Sequence, residues 1–139
     1  MSIFVLDSSV AVKWVLQEPG TAKALDLRSA ILRQTHEVIA PDVFVSEVAH
    51  ALTKAERQKI IPVGDAQMHL ADVLRFAPVL HSFLPLIARA VEISSASRIA
   101  VTDCIFVALA EQEGCEMVTA DERLMKNLPG YPIVLLETL

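Results

Sequence analysis

Seven consecutive apolar residues run from Cys104 to Ala110, between Asp103 and a glycine at position 114. Read as a helix, the run has no polar side, so it must be buried all round. The rest of the chain has to wrap it. A chain of 139 residues can do so, because a globule of this size buries about two-thirds of the surface its unfolded form exposes. That length bounds the answer to one compact domain, residues 1–139. Apolar residues make up 53% and charged residues 21%, which excludes disorder. Only 5% are aromatic, so the core must be mainly Leu, Val, Ile and Ala.

Around that helix, short apolar runs alternate with amphipathic stretches. Ile3-Phe4-Val5-Leu6 has the pattern of a strand buried on both faces and stops at Asp7. Ser8 or Ser9 can cap a helix carrying Val10, Ala11, Trp14 and Val15, which Pro19-Gly20 breaks. A helix from about Thr21 to Gln34 and a strand at Glu37-Val38-Ile39-Ala40 follow. Pro41 and Asp42 open a helix to about Gln58, striped by Phe44, Val48, Leu52 and Ala55. Helices are expected from Asp65 to about Phe76 and from about Leu84 to Ser94, with a strand near Val79-Leu80 between them. Ile99-Ala100-Val101 approaches Thr102-Asp103, and the buried helix ends at Gly114. Strands at Met117-Val118-Thr119 and Ile133 to Leu136 flank a short helix from Asp121 to Lys126. Alternation of this kind predicts an α/β fold with a largely parallel sheet.

Mean hydropathy is +0.47, but the longest uncharged stretch, Phe76 to Ala88, is interrupted by Pro78, His81 and Pro85. It is too short and too broken to span a bilayer. The N-terminus lacks a basic region and reaches Asp7 too soon for a signal peptide. No membrane association and a cytoplasmic location are expected. Cys104 and Cys115 form no disulfide framework and have no zinc-type spacing. The net charge of −5 argues against nonspecific nucleic-acid binding through overall charge, although a cation can bridge acidic groups to phosphate.

In open parallel sheets, sites form beyond the carboxyl ends of the strands. Asp7 follows the first strand, Asp121 comes just after Val118-Thr119, and Asp103 begins the buried helix. Each has an ordinary alternative reading as a helix cap. Asp103 is the most telling, because the start of an enclosed helix is itself enclosed. A buried carboxylate needs a partner or takes up a proton. The helix N-terminus supplies about half a positive charge, Thr102 a hydroxyl, and a cation the fuller answer. Glu47 lies at the edge of its helix's apolar stripe; it either pairs with Lys54 in solvent or points toward the aspartates. Clustered carboxylates persist mostly around hard divalent cations, and oxygen-only ligands favour Mg²⁺ or Mn²⁺. Such ions activate water in phosphodiester hydrolysis.

Other chemistries fare worse. There is no GxSxG elbow, no P-loop, no GxGxxG and no HExxH. A phosphoacceptor receiver domain would need a mid-chain aspartate after a strand and a late lysine. An Asp-x-Asp phosphatase would need an acid where Ser9 stands. His50 falls on the polar side of its helix, and Trp14 reads as a core or interface residue.

Four segments carry a family resemblance: Val5-Leu6-Asp7-Ser8-Ser9 with Val12-Lys13-Trp14, Pro41 through Glu47 to Leu52, Asp103 through Glu111, and Val118 through Leu124. In this order and spacing the chain resembles, over essentially its whole length, a PIN-domain ribonuclease of the VapC toxin type. The resemblance implies a PIN-like domain with a central parallel sheet of about five strands flanked by helices. It also implies Mg²⁺- or Mn²⁺-dependent RNA cleavage, a homodimer, and neutralisation by a small cognate VapB-type antitoxin. The family's acidic quartet maps onto Asp7, Glu47, Asp103 and Asp121, and its hydroxyl residue onto Thr119. Ser9 supports the same site. Thr102 and Cys104 depart from the more usual Tyr and Ala, which bears on substrate preference.

The reading is therefore a metal-dependent endoribonuclease acting on a structured RNA loop. Asp7 and Asp103 are expected as the main metal ligands, with Asp121 direct or through water, and Glu47 orienting or deprotonating the attacking water. Lys13, Arg98 and Arg123 are the basic residues nearest these motifs and are candidates to hold phosphates, with ordinary surface charge as the alternative. The rival from another class is a noncatalytic PIN-fold module that binds RNA or protein. A scaffold, however, has no need of four mutually repelling carboxylates.

Overall fold

The computed structural model, which describes residues 2–139, places Ser2–Leu6 (β1) at the sheet's centre. Phe4, Val5 and Leu6 are buried as an apolar run requires, but Ile3, at the strand's open end, is exposed and not buried as the sequence reading expected. The other strands are His36–Pro41 (β2), Val79–His81 (β3), Glu116–Thr119 (β4) and Ile133–Leu135 (β5). All pairings are parallel, in the order β3-β2-β1-β4-β5. Phe4 is opposite Val38 on one side and Glu116 on the other. The chain runs outward from β1 through β2 to β3 and then returns to the far side of β1 for β4. The order reverses between β1 and β4, and that is where an open α/β sheet leaves a crevice at its carboxyl edge.

The helices are Ser8–Ala11 (α1), Thr21–Leu32 (α2), Val43–Arg57 (α3), Asp65–Leu74 (α4), Ile87–Ser97 (α5), Val101–Glu113 (α6) and Glu122–Asn127 (α7). Cys104 to Ala110 are all buried, as expected for a helix without a polar side. α6 packs on β1, β2 and β4 and along α5. It stops at Gly114, whose φ of 64° is readily adopted only without a Cβ. Trp14 is buried and donates its indole N–H to the Ala24 carbonyl at 2.9 Å. Among the described residues no single helix is long and apolar enough to cross a membrane.

Several boundaries differ from the sequence reading. The first helix is one α-turn continued by a 3₁₀ turn, Val12–Trp14, and Asp7 rather than a serine holds the cap position. Pro41 ends β2 in register with His81 instead of opening α3; it needs no ladder N–H at a strand end. Leu84–Leu86 is a 3₁₀ turn, and α5 runs on to Ser97. The apolar approach Ile99-Ala100-Val101 forms no strand and runs straight into the helix. α6 begins at Val101, so Asp103 is its third residue and not its cap.

Candidate active site

Asp7 leaves the end of β1 at the reversal point, its N–H bonded to the Val118 carbonyl of β4 at 3.1 Å. It does not cap α1 with its side chain, so the simple capping explanation fails for this residue. Its carboxylate is 5% exposed, and one oxygen, Oδ2, takes hydrogen bonds from Ser9 at 2.6 Å and Thr119 at 2.7 Å. Burial pushes the Asp7 carboxyl above its ordinary range, and the two hydroxyls oppose that shift.

The hydroxyls are fixed in turn by backbone. The Ala120 N–H donates to Ser9 Oγ at 3.1 Å, and the Asp121 N–H donates to Thr119 Oγ1 at 3.1 Å. The turn after β4 is thereby tied to Asp7. Asp121 does cap a helix. Its Oδ1 accepts from the N–H groups of Arg123 and Leu124 at 3.0 and 3.3 Å. Its Oδ2 lies 3.5 Å from the Arg123 guanidinium.

Asp103 and Glu47 have no such support. Neither side chain makes a hydrogen bond or an ion pair among the described residues, and the solvated Glu47–Lys54 pair is not formed. Burial pushes the Asp103 carboxyl up to about 6, and the charges of Asp7, Glu47 and Asp121 push the same way; Arg123 pulls against them. Burial also raises Glu47, with the charge of Asp7 adding to it. Glu47 is half-buried and lies within electrostatic reach of Asp7 and Asp103. All four predicted acids fall within one electrostatic neighbourhood.

That donor set is all oxygen and anionic, which suits a hard divalent cation. No three acidic, His or Cys side chains among the described residues sit close enough to chelate one ion. Mg²⁺ makes no such demand, since it keeps several waters and is held by one or two carboxylates. The donors fit the ion.

The three basic candidates fare unequally. Arg123 reaches the carboxylates directly, through Asp121. Lys13 is paired with Glu18 at 3.2 Å, and its side chain is only 12% exposed. Arg98 ends α5 with a φ of 63° and is exposed without an ion pair among the described residues. The Ala120 N–H was not visible to sequence reasoning, because a backbone donor has no residue type to betray it. Glu18, which holds Lys13 five residues earlier, was passed over beside the Pro19-Gly20 break.

A PIN domain family model matches residues 4–130. The chain is 26% identical over 132 residues to "Ribonuclease VapC3" of Pyrobaculum aerophilum, covering 94% of this chain and 97% of that one. Two solved structures share the fold. PAE2754 from Pyrobaculum aerophilum has a TM-score of 0.71 at 20% identity, over 99% of this chain and 92% of its own. VapBC2 from Rickettsia felis, bound to a DNA fragment from its promoter, has a TM-score of 0.67 at 15% identity, over 96% and 98%.

Proposed function

This chain belongs to the PIN-domain family, and from that premise we propose that it is a metal-dependent endoribonuclease, the toxin of a toxin–antitoxin pair, with residues 1–139 as one catalytic unit. The observation that carries the reading is the set of four neighbouring carboxylates at the sheet's reversal point, two of them without a hydrogen-bond or ion-pair partner among the described residues. A noncatalytic scaffold would gain nothing from that repulsion.

Asp7 and Asp103 would hold the cation, Mg²⁺ or Mn²⁺. Bound there, the ion supplies Lewis-acid polarisation of the phosphate and a more acidic water. Asp7 spends Oδ2 on Ser9 and Thr119, which would leave Oδ1 available to a cation. Asp121 has Oδ1 committed to the start of α7 and offers Oδ2, directly or through water. Glu47, half-buried and raised by its surroundings, is suited to accept a proton from the attacking water or to orient it. Arg123 and Arg98 would hold phosphates of a single-stranded loop, whose bases can be splayed into a cleft. Lys13 is better placed for another role.

The partners follow as part of the same proposal: RNA, a small VapB-type antitoxin in the cytoplasm, and a second copy of the chain. Leu84, Ala88 and Val91 form an exposed stripe at helical spacing along α5 and its leading turn, the surface a homodimer would bury. The test of the activity is cleavage of a short RNA pool by purified protein. Cleavage should require Mg²⁺ or Mn²⁺, stop in EDTA, and fall at least about a hundredfold in Asp103→Asn. Undiminished cleavage by that variant would overturn the reading. Light scattering at micromolar concentration should report a dimer, and inhibition by the product of an adjacent short reading frame would establish the antitoxin.

A further inference from the structure

Beside the carboxylates, at the carboxyl ends of β4 and β5, the surface opens into a cavity of about 320 Å³. Its volume is at the small end of ligand sites, which begin near ~300 Å³, so it has room for one nucleoside and not for a longer segment. Ala120 forms part of its wall, the same residue whose N–H is bonded to Ser9. The cavity and the carboxylate centre are therefore two sides of one turn. Pro19, Leu135 and Leu136 give it apolar surface, and Lys13 and Glu18 give it a paired ammonium and carboxylate.

The pair is held in place. The Lys13 stem lies against Gly20, where an added Cβ would meet its Cδ and Cε at 3.6 Å. Gly20 has a φ of 90°, which disfavours any side chain there. Two further carboxylates, Glu122 and Glu137, line the cavity. One ammonium against three carboxylates repels a phosphate. The cavity calls instead for a flat, neutral occupant with apolar faces, many N–H donors and at least one acceptor.

Nucleobases have that form, and their edges differ in donor number. The Watson–Crick edge of guanine carries three N–H donors next to the O6 acceptor; adenine and cytosine carry two donors and uracil one. We propose that this cavity is a base-reading subsite that takes one unstacked guanine of the RNA next to the cleaved bond. Glu18 accepts from guanine N1–H and N2–H, and Lys13 donates to O6. The inference rests on the ribonuclease reading and deepens it, since it names the substrate feature recognised. It also reassigns Lys13 from holding phosphate to reading a base.

Cleavage positions mapped on a random single-stranded RNA pool with Mg²⁺ provide the first arm of the test. Guanosine should be enriched about tenfold or more at one fixed position from the cut, the discrimination a good bidentate base contact supplies. Glu18→Gln and Lys13→Met should each flatten that preference, and having two variants covers the case in which one fails to fold. Cutting without base preference, or a preference that a folded variant leaves intact, overturns the proposal. The second arm needs no cleavage. The nucleosides guanosine, adenosine, cytidine and uridine, which carry no phosphate, are titrated into metal-free protein, and NMR shifts of Ala120, Leu135 and Leu136 are followed. Guanosine should move them most, whereas equal or absent shifts at millimolar nucleoside overturn the subsite. Failure to cut any RNA would defeat the ribonuclease reading instead, and the titration alone would then decide the cavity's role.

Discussion

Replacing Asp103 by Asn should abolish activity and yet make the metal-free protein more stable. Asn keeps the shape of the side chain, and Asp103 makes no hydrogen bond or ion pair among the described residues for the change to break. Its carboxyl is pushed from an ordinary 3.8 up to about 6. A shift of that size corresponds to about 3 kcal/mol of ionisation penalty at neutral pH, and solvent reaching a partly exposed group reduces it to about 1–2 kcal/mol. For a chain of this length that amounts to roughly 3–8 °C in Tm.

The pH dependence follows in sign. Because the folded pKa is raised, the folded state holds the Asp103 proton more tightly than the unfolded chain does. The stability this contributes is complete below about 3.8 and lost as pH rises through about 6. The advantage of Asn should therefore be full at pH 7.5 and reduced to about half by pH 5. Thermal unfolding in EDTA at both pH values measures it. Adding Mg²⁺ should raise the Tm of the parent and leave the variant nearly unmoved, because the cation offsets the same burial of charge and the repulsion that adds to it. A variant no more stable than its parent at pH 7.5, or a gain independent of pH, would refute the electrostatic account.

Other outcomes follow from the same geometry. Thr119→Val removes a fully buried hydroxyl that serves both Asp7 and the Asp121 N–H; it should cost about 1–3 kcal/mol in denaturant unfolding and weaken Mg²⁺ binding about tenfold by calorimetry. Asp121→Asn should retain the α7 cap and the parent Tm while losing activity, whereas Asp121→Ala should also lose about 1 kcal/mol of stability. RNA binding by inactive Glu47→Gln should depend strongly on divalent ion and fall only shallowly with monovalent salt, because a chain of net charge −5 displaces few counterions. Tight binding in EDTA with a steep salt slope would show that a basic surface carries the RNA.

The parts of the fold legible in the sequence were those where burial admits one pattern. Ile3 to Leu6 and Cys104 to Ala110 have no polar positions, so the first had to be a central strand and the second an enclosed helix. A largely parallel sheet followed from their alternation with amphipathic segments, and its count of about five strands from the family resemblance. Boundaries were less legible because they depend on tertiary pairing. Nothing local tells Pro41 that His81 is opposite, and nothing at Ile99-Ala100-Val101 distinguishes a strand from the first turn of a helix. The acids were legible as a set because three of them follow apolar runs. Their supports were not: Ser9 and Thr119 meet across 110 residues, and two of the four bonds that hold them come from backbone N–H groups. The cavity was invisible because Pro19-Gly20 reads as a helix break whether or not a ligand site is built on it.

The four carboxylates are held in different ways, and the difference divides their work. Asp7 is buried but carries two hydroxyl donors on one oxygen. Asp121 is fixed by two backbone N–H groups and faces an arginine. Both are held in place without a cation. Asp103 and Glu47 rely on no hydrogen bond or ion pair among the described residues, and both, like Asp7, have raised proton affinity. Protons and cations compete for that second pair, so metal affinity should rise with pH through the range where Asp103 titrates, near 6. Truncating Asp7 or Asp121 to alanine should thus disturb metal geometry and structure together, whereas Asp103→Asn should remove the metal and leave a more stable fold.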